Sequence, residues 1–118
     1  MIETNFRDLT PTECSWIQRL LEGSFEGKTE VTQQLRHVKA RIIDEDGSLE
    51  LCAETGNKAQ VITRVPVEAW AADTDGINVN FLLHVVDGVV KELEIYKSDS
   101  TPIIRMPPPS EWELFEPR

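Results

Sequence analysis

Cysteine is scarce in this chain: two residues in 118, Cys14 and Cys52, with no CxxC pair and no histidine at zinc-ligand spacing. That excludes a disulfide-stapled scaffold and a small zinc-built domain, and it reads both thiols as small buried hydrophobes in a reducing compartment. Histidine is as rare, with only His37 and His84. None of the six glycines forms a GxGxxG or phosphate-loop pattern, and no serine sits in a nucleophile elbow. The expectation is a chain without metal, cofactor or covalent intermediate, and not an enzyme. No apolar run approaches the roughly 18–20 residues that span a bilayer. The opening stretch from Met1 to Asp8 has neither a basic nor an apolar segment, which reads as no secretory signal and predicts a cytoplasmic location.

Positive charge is also in short supply. Lys and Arg number 12 against 21 Asp and Glu, a formal net charge of −9. Nucleic acids and anionic membranes are bound by cations that replace counterions, so neither is an expected partner. An acidic body is either merely soluble or made to receive a basic protein.

What is present fits one globular domain over residues 1–118, with 40% hydrophobic and 28% charged residues. Its expected parts are an N-terminal arm (1–8), a helical part (10–37), a sheet (38–104) and a Pro-rich tail (105–118). Thr10-Pro11-Thr12-Glu13 is a capping box with Pro at the first helical position, and Trp16, Ile17, Leu20 and Leu21 follow at helical spacing. A weaker helix is expected over Glu30 to His37. From Val38 the period changes to two, and residues 38–53 read as a hairpin around Glu45-Asp46-Gly47-Ser48. Val61, Thr63 and Val65 mark a third strand ended by Pro66.

The strongest pattern runs from Ile77 to Tyr96, two apolar runs joined by Asp87-Gly88, the preferred pair for a type I′ turn. Regular pairing from Val86 and Val89 puts His84 opposite Lys91. It makes Leu82, Val86, Val89, Leu93 and Ile95 the core face and sets Glu92 and Glu94 on the other, away from His84. Trp112 to Phe115 is apolar enough to dock. The predicted architecture is α+β: N-terminal helices packed on a mainly antiparallel meander of five or six strands.

Few residues carry chemistry. Asp73-Thr74-Asp75-Gly76 begins like a calcium loop, but Gly76 stands at position 4 and His84 at position 12, so it reads as a turn. Glu92 and Glu94 share a strand face, as alternation produces on any solvated strand, and a histidine among apolar neighbours such as His84 is ordinarily a core residue.

The segment Leu82 to Lys97, with its Asp-Gly turn and Glu-Leu-Glu-Ile-Tyr run, followed by Asp99 and Pro102-Ile103, resembles a family of small bacterial proteins. Leu9-Thr10, Glu13, Leu20-Leu21 and Gln34-Leu35 are similar too. Proteins of this size, acidity and pattern resemble immunity proteins of bacterial toxin systems, including contact-dependent growth inhibition. The resemblance implies a non-catalytic inhibitor that binds the C-terminal domain of a cognate toxin, expected to be basic and a nuclease. The candidate partner surface joins Asp73 and Asp75 to Glu92 and Glu94; the alternative is the Asp44-Glu45-Asp46 turn. A generic interaction module without catalysis is the competing reading.

Overall fold

The computed structural model describes residues 2–54 and 56–117. Thr10 caps the first helix, α1 (Pro11–Leu20), as its capping box requires: its hydroxyl accepts from Glu13 N, and the Glu13 carboxylate accepts from Thr10 N. Arg7 grips the same carboxylate with two guanidinium nitrogens at 2.6 and 3.0 Å. The second helix, α2 (Lys28–Leu35), starts two residues earlier than expected and ends at Leu35, so His37 lies beyond it. Trp16, Ile17 and Leu20 of α1 and Val31 and Leu35 of α2 are buried against the sheet.

Among the described residues that sheet is antiparallel throughout and has seven strands: β1 (Arg7–Asp8), β2 (Lys39–Ile42), β3 (Leu49–Cys52), β4 (Val67–Ala72), β5 (Asn78–Val86), β6 (Val89–Lys97) and β7 (Glu113–Phe115). The expected α+β class holds. The count exceeds five or six because the N-terminal arm and the C-terminal tail each add a short edge strand. The order β1-β2-β3-β6-β5-β4-β7 is not a simple meander, because the chain crosses from β3 to the far side before β4 and returns.

That crossing displaces the expected third strand. Residues 61–65 form no strand. Their stretch closes over the tip of the β5–β6 hairpin, where Ala59 N donates to Gly88 O and Val85 N donates to Arg64 O. The regular ladder with β5 begins only after Pro66, which has no N–H to give, and runs from Val67↔Leu83 to Ala72↔Asn78.

The hairpin turn is as expected. Asp87 and Gly88 both take positive φ, 52° and 78°, as a type I′ turn needs. A Cβ on Gly88 would lie 2.9 Å from Ala59 O and from Lys58 Cβ, so the crossing chain also needs glycine there. The register beyond the turn departs from the regular one. Val86 pairs with Val89 and Val85 with Val90, but His84 then pairs with Glu92, leaving Lys91 as the extra residue of a β-bulge. The bulge reverses the faces of the first run and half of the second. Phe81, Leu83, Val85 and Val90 join Leu93 and Ile95 in the core, whereas Leu82, Val86 and Val89 lie half-buried outside it.

Trp112 is buried and stacks on Phe81 with ring centroids 3.8 Å apart, so the tail packs on the helix side of the sheet. Both cysteines are free and only half-buried, which corrects their expected burial. Among the described residues no helix is long and apolar enough to cross a membrane.

Candidate functional site

With helices and tail on one face, strand parity leaves the other face of the sheet to a different set of side chains. Glu50, Glu68, Trp70, Asn80, Leu82, His84, Val86, Glu92 and Glu94 are half-buried there, and Glu113, Tyr96 and Phe115 are exposed. None is fully buried. Trp70 and Phe115 touch as a tilted pair with centroids 6.3 Å apart. Arg41 is engaged by Glu50 at 2.6 Å and Lys39 by Asp8. Glu68 and Glu113 form no ion pair among the described residues. The face is therefore acidic, with aromatic surface at one edge.

His84, Glu92 and Glu94 converge at its centre. One ligand atom from each lies within 4.8 Å of the other two. This overturns the expected separation of His84 from the glutamates, and the bulge at Lys91 is the reason: it replaces Lys91 with Glu92 opposite the imidazole. His84 Nε2 lies 2.8 Å from Glu94 Oε1, and Arg64 Nε donates to His84 Nδ1 at 2.9 Å. Because Nδ1 accepts from arginine, the network assigns the proton of a neutral ring to Nε2, which donates to Glu94. Burial pushes the Glu92 carboxyl above its ordinary value, and repulsion from Glu94 and Asp44 adds to it. A strand assignment cannot see a bulge, and residues of the crossing chain such as Arg64 gave no sequence signal.

Asp73 and Asp75 do not join this cluster. Both carboxylates bind the Lys97 ammonium, at 2.9 and 2.6 Å, and the Lys97 and Asp73 side chains are fully buried. Lys97 shares the parity of Leu93 and Ile95, so this pair belongs to the helix side of the sheet. Burial alone would raise the Asp73 carboxyl. The Ile104 N–H, the Lys97 ammonium and the N–H groups of Thr74 and Arg105 outweigh it and hold that carboxyl well below its ordinary value. Asp73 thus ties the β4–β5 turn to β6 and to the chain after it, and it offers no free charge to a partner.

The alternative turn is partly committed too. Asp44 Oδ1 accepts from Asp46 N and Ser48 N, Asp46 is half-buried, and only Glu45 is exposed. Burial pushes the Asp46 carboxyl up, with help from Asp44 and Glu45.

Comparison with known proteins decides one point. The sequence profile of a family described as domain of unknown function DUF6984 matches residues 6–107. The chain belongs to this family. No curated protein and no solved structure shows significant similarity to it. The DUF6984 match spans both helices and strands β1 to β6, including the bulge, His84, Glu92 and Glu94.

Proposed function

We propose that this chain is a non-catalytic binding protein that covers a basic surface of a partner protein with the open face of its sheet. In its immunity form the partner is the toxic domain of a cognate bacterial toxin, held inert in the cytoplasm. The observation that carries the reading is the open face itself, which Glu68, Glu92, Glu94 and Glu113 share with Leu82, Val86 and the Trp70–Phe115 pair. Acidic groups steer a cationic partner and set register, while partly exposed aromatics supply desolvated anchors. The molecule is a slab of 41 × 35 × 21 Å, so its broad side exceeds the roughly 800 Å² that a standard interface takes from each partner. Strand-borne side chains are held rigidly, which lowers the ordering cost of binding.

The proposed surface is that of Glu92 and Glu94, extended by Glu68 and Glu113; Asp73 and Asp75, both bound by Lys97, are left out of it. The test is co-expression with the toxin domain encoded beside this chain. Cells should survive with the wild-type chain and die without it, and Glu92→Lys with Glu94→Lys should abolish protection while the variant stays folded. Full protection by that variant would refute the surface. Death of the cells despite wild-type chain, or the lack of any toxin domain beside the gene, would overturn the immunity reading in favour of a generic interaction module.

A further inference from the structure

We infer that His84, Glu92 and Glu94 form a binding site for a divalent transition-metal ion, and that the ion and Arg64 compete for His84. The inference does not rest on a protein partner, although it uses two glutamates of the proposed partner surface. An imidazole beside two carboxylates is a donor set for zinc and its first-row neighbours, whereas calcium and magnesium favour oxygen alone. Ligand atoms around a tetrahedral zinc stand roughly 3–3.5 Å apart, given bonds of about 2.0–2.2 Å. The three donors here already lie within 4.8 Å of one another, so closing on an ion needs side-chain adjustment only. They project from two neighbouring nine-residue strands, and solvent on the open face can supply the remaining ligands.

The bulge gives the arrangement its specificity. Regular pairing would place the Lys91 ammonium opposite His84, where it would repel a cation. The extra residue sets Glu92 there instead and brings Glu94 to 2.8 Å from Nε2. Ion binding at Nε2 requires that nitrogen to give up its proton. In a neutral ring the proton moves to Nδ1, where it faces the Arg64 Nε–H across 2.9 Å. Two donors cannot share that contact, so Arg64 swings away and removes its own charge from the site. Its backbone carbonyl still holds Val85 N at 2.7 Å, so the strand remains in place.

The experiment is calorimetric titration of the full chain with zinc, paired with NMR of the His84 ring nitrogens. A single site is expected, with metal at Nε2 and the proton on Nδ1, unaffected by excess magnesium. His84→Gln, Glu92→Gln and Glu94→Gln should each weaken it at least about tenfold, whereas Arg64→Gln should tighten it. Cys14→Ser with Cys52→Ser, and His37→Gln, should leave it unchanged. No binding at millimolar zinc, or binding that survives His84→Gln undiminished, would overturn the site. Arg64→Gln without tightening would overturn the competition.

Discussion

Replacing Gln34 with leucine should destabilise the fold through a single backbone group, and the structure shows which one. Gln34 is buried in α2, and its amide reaches the hairpin tip: Nε2 donates to Gly88 O and Asn57 O, and Oε1 accepts from Val90 N, each at 2.8 Å. In Gln34→Leu the Gly88 carbonyl keeps Ala59 N at 2.8 Å, and the exposed Asn57 can turn its carbonyl to water. Only the buried Val90 N–H is left without a partner. An orphaned donor of this kind costs about 1–3 kcal/mol. At about 4 °C per kcal/mol for a chain of this length, the melting temperature should fall by about 4–12 °C. Gln34→Ala should fall further, because it adds a cavity. Urea unfolding followed by tryptophan fluorescence measures the loss, and hydrogen exchange at the Val90 amide reports the specific opening. A loss for Gln34→Leu within about 0.5 kcal/mol, the range of an ordinary surface change, would show that the Val90 N–H does not depend on Gln34.

Two further outcomes follow from the core and the buried ion pair. Leu83→Ala should cost about 2–5 kcal/mol in urea unfolding, since Leu83 is fully buried on the face the bulge turns inward; an unmoved midpoint would contradict the face assignment. Asp73 has its folded carboxyl held below the ordinary 3.8, so its contribution is complete above about pH 4 and is lost as pH falls through the folded value. Asp73→Asn should therefore flatten the acid limb of the stability curve, and an acid limb identical to wild type would show that Lys97 does not depend on it.

Much of the fold is legible in the sequence because local chemistry specifies it. The capping box at Thr10, the Asp87-Gly88 turn and the alternation in residues 38–53 each appear where their residues place them. What was not legible depends on distant contacts. Period two runs through Val89 to Tyr96 with or without an extra residue, so nothing local reveals the bulge, and one shifted position exchanges core and open face. The strand at Val67–Ala72 was hidden because the better β-formers, Val61 to Val65, are used to close over the hairpin tip. Ser48 is another such case: its hydroxyl bonds both Ile95 N and Ile95 O, extending by one rung a β3–β6 ladder that has only two paired positions. At the candidate site, Glu92 and Glu94 were legible as a shared face. His84 and Arg64 were not, because they join the glutamates through the bulge and the crossing chain.

If the open face, and not acidity in general, receives the partner, charge on that face matters more than the same charge elsewhere. The affinity of the captured partner for two charge-matched variants tests it directly. Glu92→Lys with Glu94→Lys changes the open face, and Glu26→Lys with Glu30→Lys makes the same change in net charge around the start of α2. The first variant should lose about 2–5 kcal/mol per desolvated contact and the second should show only a modest change in association rate. Equal losses in the two variants, or none in the first, would contradict it.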